Sequence, residues 1–425
     1  MQKLLSFDGK KVLYLLLMLG GMVLGFGKWI VFSWMLQPIE FGTYTSVITT
    51  IAFLSYFGLF GLNEYIIKEG ANLSGRGDYA GVHAIRDEIL FISFLNSSLV
   101  IVVALLLLHS SSSMRFQFEQ YFFISGILMV TVAFNAADAS LRASLRSLPF
   151  AAMVFIRSVL LLAIGFLLAR SYGLSGVLLA ELISAALALA FAFYIAGPPP
   201  RFSVLFLPRP RIIQYLKRGV SFLGLQVFRY FSFVVDKWFV GWFAGAAALG
   251  YYSFLSITFL AFIGLAGIYN AVIIPRVIAR FGDNSNVKYL FDTTVHQALI
   301  FVGASILFSP IYLGIAYLTV EHLLPQYDFD GIILCVAAFY LGSVMHVSHG
   351  FFDSFFYSLD RQRELTIISA STLIVFIGMY LIAGVLKADV FSFCAAFFVA
   401  KVILFLVTFL RVLAGYRNIS NRIEN

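Results

Sequence analysis

Residues 27–44, GKWIVFSWMLQPIEFGTY, align with residues 236–252, DKWFVGWFAGAAALGYY, with one gap. Lys28–Trp29 falls on Lys237–Trp238, and Phe41–Gly42–Thr43–Tyr44 falls on Leu249–Gly250–Tyr251–Tyr252. Further on, GLFGLN at 58–63 resembles GLAGIYN at 264–270. Apolar segments often look alike by chance. A Lys-Trp pair followed by Gly-x-Tyr at a near-constant offset is harder to obtain that way, so the chain reads as two copies of one unit.

Working outward, both copies lie in apolar runs of a chain that is 61% hydrophobic and 12% charged. An ordinary soluble domain carries roughly 25% charged residues, and this composition could not cover a water-facing surface. Runs long enough to cross a bilayer, about 17–25 residues, fall near 12–36, 43–63, 88–108, 120–139, 149–169, 174–196, 219–243, 249–274, 295–318, 331–355, 365–386 and 389–411. A backbone in lipid must satisfy its own hydrogen bonds, so these runs predict helices. The fold class expected is an all-α integral membrane protein of about twelve transmembrane helices. Lys3, Lys10 and Lys11 precede the first run with no small-residue cleavage site after it, which reads as a retained span. Cys335 and Cys394 sit inside apolar runs and suggest neither a disulfide framework nor a zinc site.

The net charge of +8 is distributed as a membrane orientation signal rather than as a nucleic-acid surface. With the N-terminus inside, 21 of the 29 basic residues fall in cytoplasmic segments, while Arg115, Arg170 and Lys387 make 3 on the other side. That asymmetry predicts cytoplasmic termini and an even number of spans. The longest hydrophilic connection holds Pro198–Pro199–Pro200, Pro208 and Pro210, and then Ile212, Ile213 and Leu216 alternate with Arg211, Gln214, Lys217 and Arg218. Such a pattern suits a short basic helix on the inner membrane surface. The expected division is a six-helix bundle over 1–196, a cytoplasmic basic linker over 197–218 and a second six-helix bundle over 219–425. Six spans per half make the repeat parallel, and transporters bind substrate at such an interface.

A Gly-x-Tyr after the first and seventh spans, preceded by Phe41 in the first copy and by Leu249 in the second, a Lys-Trp pair before it, twelve spans and this length resemble the Wzx-type O-antigen flippases of the multidrug/oligosaccharidyl-lipid/polysaccharide (MOP) exporter superfamily. What the resemblance implies is translocation of a polyprenyl-pyrophosphate-linked oligosaccharide from the inner to the outer leaflet of a bacterial plasma membrane, with lipid and polysaccharide-assembly proteins as partners. The sequence shows no phosphate-binding glycine loop and no nucleotide-binding domain, so no cofactor is expected, and the energy for transport is expected from a gradient of H+ or Na+ or from downstream consumption of the product.

Charges within spans are expensive, about 2.5–3.5 kcal/mol at a helix centre, and normally face a cavity or a partner. Lys28, Arg157, Arg229, Lys237 and Lys401 are the basic ones. Arg229 is placed about 15 Å into the seventh span. These five are the candidates for a cationic cavity between the halves, where Arg and Lys would receive a pyrophosphate. Snorkelling or internal ion pairs are the plainer explanation. Asp236, Asp353, Glu181, His346 and His349 are candidates for ion coupling or gating; His346, His349 and Asp353 share one helix face, without further ligands to suggest a metal. Gly21-x-x-x-Gly25 and Gly241-x-x-x-Gly245 suggest close helix approach.

Three other functions are weighed against this reading. A multidrug/cation antiporter of the same superfamily would need buried acids, and here buried bases are at least as numerous. A lipid II flippase usually has two more spans. A membrane-embedded glycan polymerase or glycosyltransferase would need a large outer loop with catalytic carboxylates, whereas the longest outer loops here are about a dozen residues. The expectation is a transporter, with no catalytic residues and no nucleotide-binding loop.

Overall fold

The computed structural model describes residues 9–110, 118–144, 146–196, 207–284, 286–359, 361–386 and 389–424. Among these, every regular element is helical: α1 (Gly9–Met35), α2 (Pro38–Leu59), α3 (Leu62–Gly75), α4 (Tyr79–Ser110), α5 (Phe118–Ala143) and α6 (Ser147–Ala196). Then come α7 (Arg209–Asn284), α8 (Val287–His322), a single 3-10 turn at Pro325–Tyr327, α9 (Ile332–Phe351), α10 (Asp353–Ser358), α11 (Gln362–Leu386) and α12 (Val390–Glu424).

Nine described helices are long and apolar enough to cross a membrane, or ten when α2 and α3, bent by 53° at their junction, count as one broken span. Two of these are double. At 1.5 Å per residue the 50-residue α6 would be about 75 Å long, against a hydrocarbon core of about 30 Å. Gly173 breaks it, with φ 54° and ψ −130°. A Cβ on Gly176 would land on the carbonyl of Leu168, so the chain folds straight back on itself there. The 76-residue α7 breaks at Gly245, with φ 83°. Tyr252 donates its hydroxyl to Asp236 at 2.9 Å, sixteen residues away and impossible along a straight helix. Dividing both at their glycines brings the described crossings to the twelve expected. Gly245 and Gly25 correct the sequence reading: Gly245 makes a turn, and a Cβ on Gly25 would meet nothing within 4 Å, where close helix packing was expected at both. Gly21 does pack closely, against the Phe155 backbone of α6.

By packing, the chain forms two compact units, Met1–Val235 and Asp236–Asn425. In the first, α1 ends and α2 begins within a tight connection. Pro38 occupies the first helical turn, where a missing N–H costs nothing, and Gln37 donates its backbone N–H to Glu40 at 3.2 Å. Phe134, Ala137, Leu141, Met153, Ala188 and Ala192 form a core between α5 and the arms of α6, the alanines letting the backbones approach. In the second unit Val347, Phe351, Phe352, Phe355, Phe356 and Leu404 centre the core on α9, α10 and α12. Outward-facing Leu167, Leu307 and Val385, at 67%, 75% and 75% exposure, suit contact with lipid.

Residues 197–206 of the expected linker lie outside the described residues. The part that follows is helical and belongs by packing to the first unit. Arg211 pairs with Glu88 at 2.8 Å, and Tyr215 donates to Glu88 at 2.6 Å. Arg218 donates to the Tyr65 hydroxyl, and Gln226 donates to Asn63 at 3.2 Å and to Glu64 at 3.1 Å. The α2–α3 break, where Phe60 and Gly61 have φ of 53° and 73°, is where Gly219 comes against the Phe60 carbonyl. Covalent order and packing order therefore part company within α7.

Candidate functional site

In the first unit the repeat residues build a polar cluster inside the membrane-spanning region. Lys28 on α1 donates to Glu181 Oε1 at 2.9 Å, and Tyr44 on α2 donates to the same oxygen at 2.7 Å. Glu181 comes from the second arm of α6. Around them, Trp29 packs on Phe41 and Tyr44, and Lys28 lies 5.0 Å from the Trp29 ring centre. Arg157, on the first arm of α6, stacks over Phe134 at 4.5 Å and lies near enough to act electrostatically on both Glu181 and Tyr44. Asp138 is paired with Arg142, one turn on, at 2.5 Å.

In the second unit the aligned residues recur with a different acid. Tyr252, the counterpart of Tyr44, donates to Asp236 Oδ2 at 2.9 Å and shares a hydrogen bond with Tyr380. Asp236 Oδ1 accepts from the Lys237 backbone N–H at 2.8 Å. Lys237, the counterpart of Lys28, is 9% exposed, and Lys401 is 7% exposed. Among the described residues no carboxylate lies within 4.0 Å of either ammonium. Lys401 instead sits 5.1, 5.0 and 5.4 Å from the ring centres of Phe259, Phe376 and Phe397. Such contacts are worth about 2 kcal/mol or more when desolvated. Phe259 also packs on His346 at 5.1 Å, and His346 and His349 lie 6.2 Å apart.

The candidates thus separate into groups. Lys28, Arg157 and Glu181 come together in the first unit; Lys237, Asp236 and Lys401 lie in the second, with His346 and His349 beside the Lys401 cage. Asp353 begins α10, just past the helix break at Phe352, and no group of three metal-ligating side chains occurs among the described residues. Arg229 lies on helical backbone in α7, and its side chain lies outside the described residues. Tyr44, Tyr252, Tyr380 and the three phenylalanines around Lys401 were not named as candidate site residues from the sequence. The two repeat tyrosines carried a signal, since they align with each other. The phenylalanines carried none, being three among 47.

The model of a family described as "Polysaccharide biosynthesis protein" matches residues 9–281. No curated protein sequence matches the chain. Among solved structures, the lipid II flippase MurJ in an inward closed conformation is similar with a TM-score of 0.69 and 15% identity, over 94% of this chain and 87% of that one. An inward-facing multidrug resistance MATE family transporter of the MOP superfamily has a TM-score of 0.65 at 15% identity, covering 96% and 95%. A MOP superfamily transporter from Pyrococcus furiosus, whose binding pocket is described as of reverse polarity, has 0.58 at 15%, covering 96% of both chains. At such identities the likeness shows the fold alone, the one these transporters share.

Proposed function

This chain belongs to the polysaccharide biosynthesis protein family, and on that premise we propose that it is a flippase for a polyprenyl-pyrophosphate-linked oligosaccharide. It moves the repeat unit of an O-antigen or other surface polysaccharide from the cytoplasmic to the outer leaflet by alternating access. The observation that carries this reading is the pair of buried ammonium groups on Lys237 and Lys401. Among the described residues neither Lys237 nor Lys401 has a carboxylate within 4.0 Å, Asp236 acts on Lys401 only from longer range, and Arg157 lies against a phenyl ring. A buried cation without a counter-ion costs several kcal/mol, and an anionic cargo would repay that cost when it binds. A pyrophosphate headgroup offers the charge, and its sugars match the hydroxyl and aromatic groups beside the lysines.

The membrane is the inner membrane of a bacterium, with both termini in the cytoplasm and an H+ or Na+ gradient as the drive. A second reading, a cation antiporter, draws on the buried carboxylates Glu181 and Asp236 and on the MATE likeness. Reconstituted protein should translocate a fluorescent lipid-linked oligosaccharide and leave a cationic dye unmoved. Dye export without movement of the lipid-linked sugar would replace the first reading with the second.

A further inference from the structure

Both donors of the first-unit cluster meet on one carboxylate oxygen. Lys28 Nζ and Tyr44 OH reach Glu181 Oε1 at 2.9 and 2.7 Å from two different helices, and Glu181 arrives from a third. Its side chain is 3% exposed and that of Lys28 16%. Arg157 adds its field to the same carboxylate, while Asp138 is already engaged by Arg142. Two cations therefore face one anion in a low-dielectric interior.

The second unit provides an internal comparison. There Tyr252 also donates to an acid, but Asp236 spends its other oxygen on the Lys237 backbone, and the Lys237 ammonium has no carboxylate in reach among the described residues. The repeat retains the tyrosine and the lysine. The first unit adds a carboxylate from a separate helix that satisfies both through one atom, as a terminal phosphate oxygen would.

We infer that Glu181 is a tethered competitor for the anionic group of the cargo. Its carboxylate holds Lys28 and Tyr44 while the site is empty, and a phosphate oxygen of the cargo displaces it. This rests on the reading that the cargo is a pyrophosphate-linked lipid. The arrangement avoids an uncompensated buried charge in the empty protein. It also moderates affinity, since one anion exchanges for another, and transport needs binding weak enough for release.

The test is a calorimetric titration of full-length protein, in nanodiscs of zwitterionic lipid, with inorganic pyrophosphate. Glu181→Gln keeps an acceptor for both donors and removes the rival charge, so it binds pyrophosphate about tenfold more tightly or better. Glu181→Asp, one methylene shorter, shows a smaller gain and serves if the glutamine variant does not fold. Lys28→Gln in the Glu181→Gln background abolishes the gain. Unchanged affinity in both Glu181 variants, or a gain that survives Lys28→Gln, overturns the inference. A separate flipping assay keeps the cargo reading distinct. Tightening in the Glu181 variants with no flipping of lipid-linked oligosaccharide by the wild type would remove that reading and leave the competitor in place. Normal flipping without tightening overturns the competitor alone.

Discussion

Lys401 is in contact with rings, while Asp236 acts on it only from longer range, so its replacement separates structural from transport roles. Exchanging buried ionic groups for apolar ones of similar volume is often neutral or stabilising, by about 1–4 kcal/mol. Lys401→Met should therefore leave the thermal unfolding midpoint unchanged or raise it, while flipping falls about tenfold if the ammonium contributes a charge-assisted contact of the usual strength. Lower stability with flipping intact would make the residue a packing element. Tyr252→Phe runs the other way. It strips a donor from buried Asp236 and a partner from Tyr380, and should cost about 1–3 kcal/mol of stability. At Arg229, Arg229→Lys should keep part of the glycan export and Arg229→Ala should lose most of it at normal abundance. Full export by an abundant Arg229→Ala protein would remove it from the site. Residue identities were legible in the sequence because charge in an apolar run stands out. Partnerships were not. Lys28 and Glu181 are 153 positions apart, and their contact depends on helix rotations that no local pattern encodes.

Among elements, the doubled helices are where local sequence and structure agree best. The runs expected at 149–169 and 174–196 are the arms on either side of Gly173, where the left-handed backbone needs glycine. Gly176 is subtler, because its role comes from contact with the Leu168 carbonyl rather than from its own dihedral angles. Gly176→Val should cost about 1–3 kcal/mol through overpacking, visible as a lower unfolding midpoint. A neutral effect would mean that the hairpin opens without strain. The start of α7 is the harder case. A basic amphipathic segment reads as a surface helix, yet Tyr215 is buried on Glu88. Burial, and then the hydrogen bond to that carboxylate, raises the Tyr215 phenol above its ordinary value. The phenol thus stays a donor at neutral pH, and the contribution fades only as pH climbs past the usual tyrosine range. Glu88→Gln should loosen this clasp, which hydrogen exchange over 209–220 would register as faster exchange; unchanged exchange would place the holding force in the Gly61–Gly219 approach.

At the scale of the whole molecule, the length and number of the apolar runs carried the all-α architecture, since bilayer thickness and backbone satisfaction leave few alternatives. The packing boundary at Val235 was out of reach, because it reflects contacts of α7 with α3 and α4 rather than the hydrophilic linker. Orientation remains checkable by single-cysteine labelling after replacing Cys335 and Cys394. Positions 75 and 286 should react only from the cytoplasmic side, and positions 246 and 325 from outside; the reverse pattern would invert the topology.

The central claim is that buried cations serve an anionic lipid-linked cargo. It is tested most directly in proteoliposomes by the flipping rate of a polyprenyl-pyrophosphate-linked oligosaccharide, comparing wild type with a Lys237→Gln, Lys401→Met double variant at equal inserted protein. The account predicts flipping by the wild type and a loss of about a hundredfold in the double variant, if two charge-assisted contacts are removed. Equal rates in the two proteins would contradict it.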